Sequence, residues 1–252
     1  MSISRTPALT RVSIVGPGRL GLVLARALRA AGVEVHGPVG RGEPVPPAEV
    51  VLLCVPDAAI PAVAARARPS ARLLGHTSGA APLDAVDFGW HPLQTFTGGE
   101  PAEAFHGIAC AIDAHDDDGL AVARTLAVTL GAQPFVLPAH ARAAYHAAAS
   151  FASNFLVTIE DAAERMAGVA GIRPREARAM LAPLVRRTVE NWVAHGAAAL
   201  TGPIARGDEE TVARQRTAVT ELPELLPLFD ALSIRTRAIA ATRSPGSREE
   251  NA

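Results

Sequence analysis

The sequence predicts an α/β domain built on a mostly parallel sheet, followed by an all-helical domain. Three observations carry that expectation. A β-branched run, Val12, Ile14 and Val15, flows into Gly16-x-Gly18-x-x-Gly21 and then an alanine-rich amphipathic segment, Leu20 to Ala31. Strand and helix patterns then alternate as far as Pro138. Beyond Pro138 strand patterns vanish and apolar residues recur at helical spacing.

The glycine turn is justified residue by residue. Gly16 permits a sharp exit from the strand, Gly18 lets the backbone approach a pyrophosphate, and Gly21 lets the helix pack close to the strand. The helix start offers free N–H groups and a partial positive charge to phosphates, with Arg19 and Leu20 in the same turn. Further strands are expected at Val33–Gly37, Val50–Val55, Arg72–Gly75, Phe88–His91, Ile108–Ile112 and Gln133–Leu137. Helices are expected at Ala58–Ala67 and Asp118–Leu130. Several strands are near-continuous apolar runs, as in a parallel sheet covered on both faces. Gly37 to Pro47 is rich in Gly and Pro and stands where a longer fold would insert a helix and a strand. In the second half, helices are expected at Ala139–Gly168, Pro174–His195, Glu209–Leu222 and Pro223–Ala241, with Pro183 and Pro227 kinking or interrupting two of them. The expected division is 1–138, 139–242 and a disordered tail, 243–252.

Composition narrows the function. The chain has 252 residues, 49% hydrophobic and 19% charged, enough for one large or two modest globular domains. A net charge of -1 provides no field to recruit nucleic acid or an anionic membrane, so the expected partner is a small-molecule substrate. No apolar run reaches membrane-span length and Met1 to Thr10 is polar, which makes a cytoplasmic location the default. Cys54 in VVLLCV and Cys110 in GIACAI read as small core residues, with no disulfide and no metal site. The chain contains no lysine, so Schiff-base chemistry, a lysine acid and a P-loop lysine are excluded.

Polar residues cluster at the predicted strand ends. After the second strand no carboxylate follows directly, and Arg41 lies within reach, which favours the 2′-phosphate of NADP despite Glu43 nearby. Cys54-Val55-Pro56-Asp57 opens a helix and places Val55 and Pro56 along the cofactor. Next come His76-Thr77-Ser78-Gly79 and His91-Pro92-Leu93-Gln94. Ser78 is expected at both cofactor and substrate, Gln94 at substrate. In the helical half, Tyr145 adjoins His146, and His146, Ser150 and Asn154 share one face at i, i+4, i+8. This stripe faces either an interhelical contact or the nicotinamide. Arg206, in a Gly-bounded loop, suits a substrate carboxylate, while Asp208 suits a helix N-cap.

Taken in order, VGPGRLG, CVPD, HTSG, HPLQTF, YHAAASFASNF and LTGPIARGD resemble bacterial Rossmann-like proteins that carry a domain of unknown function at the C-terminus. That group is similar to the superfamily of pyrroline-5-carboxylate reductase, 6-phosphogluconate and 3-hydroxyisobutyrate dehydrogenases and ketopantoate reductase. The resemblance implies an NADP-type cofactor, a helical C-terminal domain that dimerises, and reduction of a ketopantoate-like 2-oxo acid in some members. Hydroxyacid dehydrogenases of that superfamily carry Lys and Asn at i, i+4; Asn154 matches the Asn, and Ser150 stands at the Lys position.

The expectation is therefore an NADP-dependent oxidoreductase that passes hydride to a carbonyl or imine carbon of a small carboxylate-bearing substrate. Asn154 would orient the substrate and His146 donate the proton, with Tyr145 and His91 behind it. A non-catalytic NADP-binding sensor is the alternative, and a deazaflavin carrier a third reading. An alanine-rich helical half with few aromatics has little volume to fill its own core, so a homodimer is expected.

Overall fold

The computed structural model describes residues 9–242, and the tail expected at 243–252 lies outside them. Among the described residues the first half forms β1 (Arg11–Val15), α1 (Arg19–Ala30), β2 (Glu34–Val39), β3 (Ala48–Leu53), α2 (Ile60–Ala67), β4 (Ala71–His76), β5 (Phe88–Pro92), β6 (Ala109–Ala114), α3 (Asp117–Thr129) and β7 (Gln133–Val136). The sheet is seven-stranded, in the order β2-β1-β3-β4-β5-β6-β7. β1 to β5 run parallel, β6 is antiparallel to β5, and β7 is parallel to β6. The reversal follows from the β5–β6 connection, a loop with a short 3-10 turn at Ala102–Phe105 in place of a crossover helix. The chain re-enters the sheet at the edge it left, with Cys110 opposite Pro92.

Alternation along the strands fills two apolar layers. Val12, Ile14, Leu52, Trp90 and Ile112 pack with Leu24 and Leu28 of α1 and Leu126 of α3. Val51, Leu53 and Leu74 face the opposite side, where Ile60 and Ala64 of α2 cover them. Each large side chain buried this way contributes about 1.5–3 kcal/mol relative to exposure. The outer strand β2 runs through Gly37 and Pro38 to Val39, past its expected end. Its outward carbonyls are covered by Arg29, whose guanidinium donates to Val35 O at 3.2 Å and Gly37 O at 2.6 Å.

The expected boundary at Pro138 moves: the first compact unit ends at Asn154 and the second begins at Phe155. The cause is α4 (Arg142–Ala152), whose first residue is tied to the sheet by an Arg142–Asp113 ion pair at 3.0 Å. The single helix expected over Ala139–Gly168 is two, α4 and α5 (Asn154–Val169), because Ser153 leaves the helical region with φ -128° and ψ -74°. The adjacent Ser and Asn carry short polar side chains that compete for backbone hydrogen bonds and so suit a helix end.

The second unit adds α6 (Pro174–His195), α7 (Pro203–Arg206), α8 (Glu209–Val219) and α9 (Leu226–Thr242). Pro183 does not interrupt α6. Pro227 is the second residue of α9, where no helical N–H bond exists to lose, so it interrupts nothing. Paired Arg216–Asp230 bonds at 2.8 Å join α8 to α9. No helix among the described residues is long and apolar enough to cross a membrane.

Candidate functional site

The C-terminal ends of β1, β3, β4 and β5 share one edge of the sheet, because the strands are parallel and in register: Val15 lies opposite Leu53, Leu53 opposite His76, and His76 opposite Gly89. Strand order reverses at β1, so the turn Gly16–Gly21 and the segment Cys54–Asp57 meet at the position where open sheets of this kind bind ligands.

Gly16 and Gly21 have the steric roles expected of them. Gly16 has φ +110°, and a Cβ there would lie 2.3 Å from the Cys54 carbonyl oxygen, so only glycine fits. A Cβ on Gly21 would lie 2.1 Å from Gly16 O, which is the close helix–strand approach. Gly18 differs: a Cβ there would meet nothing within 4 Å. It is the N-cap of α1, no side chain caps that end, and the first turn holds no carboxylate. The result is a cradle of backbone N–H groups and positive helix dipole suited to a pyrophosphate. Arg19 is exposed and makes no ion pair with any described residue, and Leu20 is half-buried. Val55 borders the turn, its Cγ1 3.1 Å from the Cβ position of Gly16, and Pro56 is exposed beside it.

Past the end of β2, Glu43 accepts the Gly40 N–H at 2.7 Å. Arg41 projects from this turn, exposed and with no hydrogen bond or ion pair to any described residue. The Arg41 guanidinium is thus free at the end of β2, beside a carboxylate already engaged by backbone.

His76 and Ser78 serve the loop itself. His76 Nδ1 accepts the Ser78 N–H at 3.2 Å, so the proton sits on Nε2 and is donated to Pro82 O at 3.1 Å. Burial drives the His76 pKa down and keeps the ring neutral. Ser78 Oγ accepts the N–H groups of Ala80 and Ala81 at 3.1 and 2.9 Å. Gln94 is exposed, with its Oε1 accepting the Thr95 N–H at 2.8 Å.

His91 and Tyr145 come together. His91 Nδ1 lies 2.8 Å from Tyr145 Oη, with the rings edge-to-face at 5.5 Å between centroids. Burial is the first cause of a His91 pKa lowered to about 4, reinforced by the neighbouring charge of His146. Burial likewise raises the Tyr145 phenol to about 12. Both groups are therefore neutral near pH 7. His146 is exposed, its ring 6.5 Å from that of His91. Ser150 donates its hydroxyl to His146 O at 3.1 Å, one turn back on its own helix. The expected three-residue stripe does not form on one helix: His146 and Ser150 lie on α4, while Asn154 opens α5 beyond the break at Ser153.

On the second unit, Arg206 ends α7 and is exposed. Asp208 caps α8 by accepting the Thr211 N–H at 3.0 Å, which accounts for it structurally.

Two residues that position the site had no local mark in the sequence. Arg142 is 7% exposed and pairs with Asp113. That pair seats the first turn of α4 against Gly89, and Tyr145, one turn on, meets His91. Gly79 is the other: a Cβ there would lie 2.9 Å from His91 Nε2, so the loop lies flat on the imidazole. The i, i+3 spacing of Arg142 and Tyr145 was visible in the sequence, but their partners were not.

A family model described as domain of unknown function (DUF2520) matches residues 108–236. A candidate NADP oxidoreductase from Bacteroides fragilis superimposes with a TM-score of 0.77 at 21% identity, covering 91% of this chain and 98% of that one. A protein from Thermotoga maritima gives 0.74 at 23% identity, over 93% and 100%. Pyrroline carboxylate reductase from Plasmodium falciparum, solved with NADP bound, gives 0.56 at 10% identity, over 92% and 98%. No curated protein matches the sequence. These likenesses establish the fold: a Rossmann-type α/β domain with a helical C-terminal part.

Proposed function

The chain belongs to the DUF2520 family, and from that premise we propose that it is an NADP-dependent oxidoreductase. Its substrate is a small carboxylate-bearing molecule with a reducible carbonyl or imine carbon, such as a ketopantoate-like 2-oxo acid. One observation carries the reading: the uncapped start of α1, where Gly18 opens onto unfilled space at the point where strand order reverses. Gly16 to Gly21 would hold the pyrophosphate, with Val55 and Pro56 along the rest of the dinucleotide. When bound, the reduced nicotinamide supplies the hydride. The protein's own contribution is to orient the acceptor carbon and to protonate its oxygen or nitrogen from the polar groups at the end of β5 and on α4. The test is to incubate the purified protein with NADPH and panels of 2-oxo acids and cyclic imines while following nicotinamide oxidation. Ser150, standing where related dehydrogenases carry lysine, favours the second reading, a cofactor-binding sensor. Tight NADPH binding without oxidation across the panels would support the sensor.

Cofactor choice rests on Arg41. A guanidinium bond to a 2′-phosphate contributes about 1.5–3 kcal/mol. Arg41→Ala should therefore weaken NADPH binding by about tenfold or more in calorimetry and leave NADH binding within about twofold. An equal loss for both cofactors would remove the basis for NADP preference.

The second unit is proposed to pair with a second copy of itself. Among its described residues the buried side chains are Ala177, Val212, Val219 and Ser233. Leu184, Trp192 and Val193 of α6 are 63%, 62% and 72% exposed, and a cavity of about 390 Å³ opens between α5 and α6. Large apolar side chains exposed around one helix, beside an open cavity, are what a second copy would cover. Light scattering at micromolar concentration should report a dimer, and a stable monomer would contradict the pairing.

A further inference from the structure

We propose that Tyr145 is the proton donor of this site and that His91 is the residue that positions it. The inference rests on the oxidoreductase reading and deepens it. The first support is placement. His91 leaves the C-terminal end of β5 on the face that α4 covers, and Tyr145 on α4 meets it with Oη at 2.8 Å from Nδ1. The second is the seating of the imidazole. The Gly79 backbone lies flat against its Nε2 edge, where a Cβ on Gly79 would stand 2.9 Å from Nε2, and this holds the ring with Nδ1 toward Tyr145. A neutral imidazole carries one N–H. In the proposed arrangement it sits on Nδ1 and is donated to Oη, which leaves the phenolic proton uncommitted.

Charge agrees with this arrangement. The groups facing the pair are His146 on α4, Arg142 at the start of α4, Asp57 after β3, His76 at the end of β4 and Cys110 on β6. Burial first, with His146, Arg142 and His76 acting against Asp57, keeps His91 neutral down to about 4, and burial with Cys110 keeps the phenol protonated up to about 12. A neutral imidazole is a poor acid, whereas a phenol can protonate an alkoxide or amide anion. In the step itself, the reduced nicotinamide, when bound, would supply the hydride for the new C–H bond. The π pair of C=O or C=N moves to the heteroatom, which takes the proton from Tyr145 Oη. His91 Nδ1–H stabilises the phenolate until water returns a proton to it. The substrate is reduced, the nicotinamide is oxidised, and one solvent proton is consumed.

Tyr145 is the only tyrosine in the chain, so its near-ultraviolet phenolate band reads one group. An alkaline pH jump on the full-length protein, with circular dichroism confirming that it stays folded, gives its pKa without any substrate. With Nδ1–H donated to Oη, His91→Phe removes a donor that favours phenolate, so the phenol pKa should rise further, by about one unit. His91→Asn, which keeps an N–H, should recover part of the shift and guards against misfolding of the first variant. A phenol pKa that falls or stays put in His91→Phe overturns the proposal, because the phenolic proton is then committed to the imidazole or uncoupled from it. On a turned-over substrate, Tyr145→Phe should lower turnover by about 10²–10⁴-fold with NADPH affinity kept. The wild-type rate should stay level from about pH 5 to about pH 9. A rate that falls as the pH rises toward neutrality would instead mark an imidazolium donor and return the role to His146. Absence of any turnover by the wild type counts against the oxidoreductase reading itself, while the titration decides the state of the Tyr145 proton independently.

Discussion

Gly18→Val should abolish dinucleotide binding while leaving the fold intact. The backbone at Gly18 is extended, with φ -74° and ψ 179°, which any residue adopts. A Cβ there meets nothing in the protein. The valine therefore occupies only the space a pyrophosphate needs. The expected loss of NADPH affinity is at least a hundredfold, about 3 kcal/mol, against about 1 kcal/mol or less of stability from a poorer N-cap. Calorimetry against thermal unfolding of the same preparation checks both halves. The contrast is Gly16→Val, which drives a side chain into the Cys54 carbonyl at a φ of +110° and should unfold the first unit. If Gly18→Val binds NADPH as the wild type does, the cradle assignment is wrong.

Asp113→Ala should be the most destabilising surface-proximal substitution in the first unit. The Arg142 and Asp113 side chains are 9% and 18% exposed, so solvent screens their pair little. Removing the carboxylate strands a guanidinium whose Nε already has no hydrogen-bond partner. Breaking a buried pair from one side typically costs about 3–5 kcal/mol. Urea unfolding should show a loss of that order, and Arg142→Met in the same chain should recover a substantial part, since the uncompensated charge is then gone. A loss below about 1 kcal/mol would mean that the pair behaves as an exposed one. The substitution should also uncouple Tyr145 from His91, because the anchored first turn of α4 presents Tyr145 to the sheet.

The fold was largely legible because its cues are local. β1 and α6 begin and end where the apolar pattern and the Pro174 start place them. The strand-end clusters were legible because a parallel sheet sends every strand's C-terminus to one edge. Ser78 and Gln94 were visible as polar residues, yet their bonds close their own loops, a difference that spacing cannot express. The helix break at Ser153 was missed because helical periodicity continues across it, and with it went the apparent stripe from His146 to Asn154.

By itself the sequence determined the order of elements, the glycine cradle and the absence of any lysine acid, since turn geometry, periodicity and residue chemistry act over a few neighbouring positions. Only the tertiary structure decided which polar groups meet. His91 and Tyr145 are separated by 54 residues and Arg142 and Asp113 by 29, and both pairs form because Arg142 and Tyr145 of α4 reach the face of β5 and β6 opposite the one that Trp90 and Ile112 pack against α1 and α3. Burial in that layer is what holds His91 and Tyr145 neutral, a property that belongs to the packed site and to neither residue alone.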